Sequence, residues 1–278
     1  MQKPLKTQTL LVRHIALPQD HGSWVFLISP LIIGLFAGGR WSSASAYLIL
    51  AALAGFLIRQ PASIAVKVYS KRRTRRELPA ALFWGGVYAL LGLGGLAGLI
   101  VQGYGYLLYL AIPAVPVFAW HLYLVSRRSE RRQAGVEILG SGVLALAAPA
   151  AYWVGRGHND PMGWWLFGLT WFQSAASIVF AYMRLEQRNL RETPDLATRL
   201  SIGRRALLYT SFNLLAVFIL SLTGILPILL PIPYLLQWGE SLWGALKPAI
   251  NVNPTHIGVR QLIVSTLFTV LFILAWNI

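Results

Sequence analysis

Two polar stripes interrupt an otherwise apolar chain. Gln173, Ser177, Arg184 and Arg188 fall at about 0°, 40°, 20° and 60° around a helix that turns ~100° per residue, so they share one narrow face. Arg59, Ser63 and Lys67 fall at about 0°, 40° and 80°, provided Pro61 leaves the turn intact. Guanidinium groups hold phosphate or carboxylate through paired hydrogen bonds. Arg59, Lys67, Arg184 and Arg188 are therefore candidate ligands for an anionic headgroup, in a clamp facing the cytoplasm. The alternative is that they snorkel to lipid phosphates. For the loop residues Arg72, Arg73, Arg75 and Arg76 snorkelling is the preferred reading. An arginine drawn into a membrane interior needs a partner, and Glu186, Asp20 or a bound headgroup would supply one.

A third group opens the first apolar stretch: Pro18-Gln19-Asp20-His21-Gly22-Ser23-Trp24. In one account Asp20 caps a helix and Trp24 joins the interfacial aromatic belt. In the other, Asp20 and His21 stand at the mouth of a cavity as proton carriers or headgroup contacts, with Trp24, Gln173, Ser177 and Glu186 lining it. His158-Asn159-Asp160 before Pro161 is turn chemistry. No serine or threonine nucleophile motif is present. The five histidines show no metal-binding spacing, and the absence of cysteine removes disulfides and thiolate sites.

These residues must be positioned by membrane helices. The chain is 56% hydrophobic and only 12% charged, against roughly 25% charged residues in soluble domains, and its mean hydropathy is +0.59. Apolar runs long enough to cross ~30 Å of hydrocarbon recur along its whole length. They lie at residues 24–38, 44–66, 79–101, 104–125, 136–155, 163–183, 206–222, 224–238 and 262–276, which predicts an all-α bundle of about nine transmembrane helices. The run at 224–238 is short and carries Pro227, Pro231 and Pro233, so a distorted or re-entrant segment is expected there. Residues 1–278 are expected to form a single transmembrane domain, with residues 1–20 as a cytoplasmic tail. A cleaved leader is not expected, because Asp20 and Pro30 interrupt the pattern of one.

Of the 24 lysines and arginines, all but Arg40 and Arg156 fall on one side of this arrangement when the N-terminus is inside. That sorting obeys the positive-inside rule and places the C-terminus outside. The net charge of +15 is thus a matter of topology and anionic headgroups, and nucleic acid is not expected as a partner. Gly92-Leu93-Gly94-Gly95-Leu96-Ala97 matches a dinucleotide fingerprint in spacing alone, since no strand precedes it. Gly94 and Gly98 instead form a small-xxx-small pair for helix packing.

Leu17-Pro18-Gln19-Asp20-His21-Gly22-Ser23-Trp24, running into an apolar span with Pro30 and Gly34, resembles the opening of the YwiC-like family of bacterial membrane proteins. That resemblance implies the bacterial plasma membrane. More distantly, the number of spans and the polar loops after spans two, four and six resemble the UbiA superfamily of intramembrane prenyltransferases. Phe180-Ala181-Tyr182-Met183-Arg184-Leu185-Glu186 resembles the end of the sixth helix in those enzymes. They hold a prenyl diphosphate through Mg²⁺ bound by two aspartate-rich motifs. Here the first region, residues 59–67, has no carboxylate, and the second, residues 184–189, has only Glu186. Hard divalent cations need several oxygen ligands, so no cofactor is expected and none of the family's metal ligands carries over. If the chain is an enzyme, the resemblance implies a prenyltransferase-like transferase.

Three functions follow: binding of an isoprenoid or quinone-type membrane lipid, a non-catalytic subunit beside a membrane-protein partner in a respiratory or photosynthetic assembly, or a small-anion transporter. The topology is directly testable. Reporter fusions after Arg76, Arg132 and Arg199 should read cytoplasmic, and fusions after Arg40 and Gly157 should read the opposite side; a cytoplasmic signal at Gly157 overturns the arrangement.

Overall fold

In the computed structural model of the chain, residues 10, 12–18, 21–128 and 133–278 are described, apart from the side chain of His21. Asp20, Arg131 and Arg132 lie outside the described residues. All regular elements among the described residues are helical, and seven helices are long and apolar enough to cross a membrane. Two of the nine expected spans are not among these seven. The first is the shorter apolar helix Gly22–Gly38. The eighth begins late: residues 224–230 form turns, with Gly224 at φ 74°, and a helix starts only at Pro231. Its prolines are accommodated because a missing N–H matters least in the first turn.

The chain divides into two compact units. Unit 1 comprises Met1–Asp20 and Ser42–Gln133. It contains α1 (Arg13–Ala16), α3 (Ser43–Leu57), α4 (Arg59–Tyr69), α5 (Leu78–Val101) and α6 (Ala111–Ser126). Part of the expected tail is built into this unit. Ile15 is buried with Ile64, Ala80 and Ala81, and Tyr88 Oη donates to the Ala16 carbonyl at 3.0 Å. Pro61 lies in the first turn of α4, so the stripe Arg59, Ser63 and Lys67 stays on one continuous helix.

Unit 2 comprises His21–Trp41 and Ala134–Ile278. It contains α2 (His21–Gly38), α7 (Ala134–Ala145), α8 (Ala147–Arg156), α9 (Met162–Gln187), α10 (Leu196–Leu222), α11 (Pro231–Leu246) and α12 (Pro254–Asn277). Helix α8 is buried from Ala147 to Gly155, and its small side chains let α2 approach. Gly34 of α2 lies against Ala148 and Ala151, and Gly38 lies against Gly155. These pairings make α2 and α8 parallel, so Arg40 and Arg156 share one end of the unit. At the start of α10, Asp195 accepts from the amide of Ala197, and the Thr198 hydroxyl holds its carboxyl below the usual range.

Within unit 1, α5 packs on α3 through glycines, in a register that differs from the expected Gly94–Gly98 pair. Gly92, Gly95 and Gly98 face Ala54, Ala51 and Tyr47 of α3, whereas Gly94 has nothing within 4 Å. A Cβ at Gly95 would meet the Tyr47 carbonyl oxygen at 2.8 Å and the Ala51 nitrogen at 2.9 Å. Both are backbone atoms that cannot turn aside. Gly95→Ala should therefore destabilise the protein by about 1–3 kcal/mol, while Gly94→Ala should be neutral or gain up to about 1 kcal/mol of helix propensity. Unfolding in detergent followed by circular dichroism measures both, and equal effects would refute this register.

Candidate anion-binding site

Helix α11 ends at Leu246, and the site is built on that ending. A helix leaves its last carbonyls without intrahelical donors, and they carry the negative end of the helix dipole. Arg184 of α9, only 6% exposed, answers this demand. Its Nη1 donates to the Gly244 carbonyl at 2.9 Å, to the Lys247 carbonyl at 2.6 Å and to Gln187 Oε1 at 2.9 Å. Gln187, fully buried, donates from Nε2 to the same Gly244 carbonyl and accepts from the Ala249 amide. Arg199 of α10 donates to the Leu246 carbonyl, and Arg188 donates from Nε to the Val252 carbonyl at 2.6 Å. Three arginines and a glutamine thus satisfy the backbone from Gly244 to Val252.

The close approach is possible because position 244 is glycine. A Cβ there would meet the Phe180 ring at 2.6 Å. Beside it, Trp243 is flanked by two cations: the Arg184 guanidinium carbon lies 5.1 Å from its ring centroid and that of Arg260 lies 3.6 Å away. Arg260 also forks onto Glu240, with its Nε at 2.6 Å and Nη2 at 2.7 Å from the two carboxylate oxygens. Two guanidiniums therefore lie against one indole ring, and one of them, Arg260, is bonded to a carboxylate. Among the described residues, the hydrogen bonds of the Arg184 guanidinium all leave from Nη1.

Above this end lies a ladder of amides. Gln173 Nε2 and Gln237 Nε2 both donate to Ser177 Oγ, at 3.2 and 3.1 Å. Gln237 Nε2 also reaches the Gln173 carbonyl at 2.9 Å, and Gln261 Nε2 reaches the Ser177 carbonyl at 2.6 Å. The pairings run 173 with 237 and 184 with 244, so α9 and α11 are parallel, while α12 is antiparallel to both. The arginine end of unit 2 is consequently opposite the end that carries Arg40 and Arg156.

Of the residues expected to form the clamp, Arg184 and Arg188 stand together at this end, with Gln173 and Ser177 above them on the same face of α9. Arg184 takes its partners from α11 in place of Glu186, whose side chain is exposed. Arg59 and Lys67 lie on α4 in unit 1, where Arg59 stands 5.3 Å over the Phe56 ring. Trp24 is half-buried on α2. Asp20 and the His21 side chain are outside the described residues. Gln187, Gln237, Glu240, Trp243 and Arg260 were not foreseen. The signal was present: Gln237, Glu240, Ser241 and Gly244 recur at helical spacing, from the last turn of the apolar run 224–238 to beyond its end.

The apolar helices and the intramembrane polar core define a helical membrane protein. The family resemblance read from residues 17–24 is borne out, because the model of the YwiC-like protein family matches residues 17–152. The protein of Bacillus subtilis (strain 168) described as "Uncharacterized protein YwiC" is 26% identical over 157 residues, which cover 54% of this chain and 59% of that relative. The chain thus matches less than two thirds of that relative's length. No solved structure matches the chain. The family match ends within α8, so the arginine end, built from α9 to α12, lies beyond it.

The capping role has a direct consequence for stability. Arg184→Ala leaves the Gly244 and Lys247 carbonyls short of donors and should cost about 2 kcal/mol or more. Arg73→Ala removes an exposed i,i+4 pair with Glu77 and should cost about 0.5 kcal/mol or less. Detergent unfolding of the two variants checks the contrast, and similar midpoints would show that Arg184 does not hold α11.

Proposed function

We propose that the chain is a membrane protein that binds an anionic headgroup, of the kind carried by isoprenoid or quinone-type lipids, at the arginine end of unit 2. The observation that carries this reading is the charge imbalance around Trp243. Arg184 and Arg260 lie against it with Glu240 as their carboxylate, and Arg188, Arg199 and Lys247 gather at the same end. Arg184 is buried and Arg188 and Arg199 are half-buried, whereas Arg260 and Lys247 are exposed, and cations held in excess of anions favour an anionic partner. The ladder above Arg184 offers further donors and acceptors, since Gln237 Oε1 and Ser241 Oγ are buried without partners.

The metal-free character belongs to the same proposal. Guanidinium replaces Mg²⁺ as the counter-charge, and among the described residues no three His, Asp or Glu side chains cluster as a metal site would require. The UbiA-like scaffold, the inside N-terminus and the plasma-membrane location are further parts of this reading.

Mass spectrometry of lipids retained by the purified chain, followed by titration of a polyprenyl phosphate in nanodiscs, tests it. Arg184→Lys keeps a cation on the α11 carbonyls but removes the guanidinium, and should weaken binding about tenfold. Arg156→Gln, at the opposite end, should leave binding unchanged, as should EDTA. Unaltered affinity in Arg184→Lys overturns the site, and loss of binding in EDTA overturns its metal-free character.

A further inference from the structure

A groove of about 530 Å³ lies between helices α10 and α11, within the ~300–1,000 Å³ of small-molecule sites. Leu215 and Phe218 line it from α10, and Ile232 and Leu235 line it from α11. Its polar contact is an internal one, since Trp238 Nε1 donates to Ser211 Oγ at 3.0 Å. The two helices are antiparallel, because Gly203 lies against Ala245 while Ser211 meets Trp238. The Ser211–Trp238 end of the groove is therefore the one nearer the arginine end, and Phe218 and Pro231 line the other. This groove is separate from the Trp243 site, since α11 presents residues 232, 235 and 238 to α10 but residues 237, 240 and 244 to α9 and α12.

Seven residues before Ser211, and so on the same face of α10, stands the exposed Arg204. At 1.5 Å rise per residue it lies about 10 Å down the helix from Ser211. An apolar slot that opens toward a cation on the same face fits an amphiphile with an anionic head. We infer that the α10–α11 groove holds one acyl chain of an anionic phospholipid, with its phosphate on Arg204. Charge selects the lipid, because a zwitterionic headgroup offers Arg204 no net attraction. The groove retains the chain, because branched and aromatic side chains on both walls replace the contacts of neighbouring lipid.

Native mass spectrometry of the full chain, equilibrated with equal amounts of phosphatidylglycerol and phosphatidylcholine of identical chains, tests this. The wild type should retain phosphatidylglycerol about fivefold over phosphatidylcholine. Arg204→Gln should bring that ratio close to one. Leu215→Trp and, separately, Leu235→Trp fill the groove from its two walls and should abolish the retained lipid. Leu262→Trp on the exposed face of α12 and Arg156→Gln at the opposite end of unit 2 should change neither retention nor ratio. Equal retention of the two lipids by the wild type, or undiminished retention in both groove-filling variants, overturns the inference. An Arg260→Gln effect as large as that of Arg204→Gln would assign the lipid to the Trp243 site instead.

Discussion

The last carbonyls of a helix have no intrahelical donors, and where they are packed inside protein other groups must satisfy them. Helix α11 ends at Leu246, with Gly244, Ala245 and Ala249 buried at that ending. Much of unit 2 can be understood as the answer to that demand. Arg184 and Gln187 come from α9, Arg199 comes from α10, and all three donate to carbonyls at the end of α11. Gly244 is needed so that Phe180 and Arg184 can come close. Remove the ending of α11 and these polar residues lose the reason for their burial.

The same constraint explains why a buried cation is tolerated without a dedicated carboxylate. The dipole of α11 places partial negative charge where Arg184 lies, and the Trp243 face adds a cation–π contact. Arg260 needs more, because it lies beside Arg184, and its two-point attachment to Glu240 supplies it. Backbone dipole, indole and one carboxylate thus balance two guanidiniums incompletely. The residual positive charge is what the proposed binding of an anionic headgroup rests on.

How much of this could be read beforehand depends on the range of the interaction. Hydropathy located the long helices, since each is a local property of about twenty residues. Helical spacing also placed Gln173, Ser177, Arg184 and Arg188 correctly on one face. It could not say what lay opposite, because the Gly244 carbonyl is 60 residues away from Arg184 and a backbone acceptor leaves no mark in side-chain pattern. The eighth span is drawn over residues 224–238 because the apolar run stops before Gly239 and Glu240, while Pro227, Pro231 and Pro233 mark it only as distorted. Glu240 and Trp243 then fell outside it, although they belong to the same helix. The glycine case is similar. Spacing showed that α5 has a small-residue face, but only packing against Tyr47 and Ala51 distinguishes Gly95 from Gly94.

Charge sorting acquires a structural meaning in unit 2. Helix directions place Arg40 and Arg156 at one end, and Arg184, Arg188, Arg199, Lys247 and Arg260 at the other. The second group is more than a topological label, since four of its members are bonded to backbone or to Glu240 through the guanidinium. Anchoring of that kind fixes where the cations stand, whereas a snorkelling side chain would sample many positions. Held charge is what a headgroup site requires, because affinity falls with the freedom the protein groups must surrender on binding. The arginines that cap α11 have already lost that freedom in folding, so the headgroup proposed for this end would meet a preorganised surface.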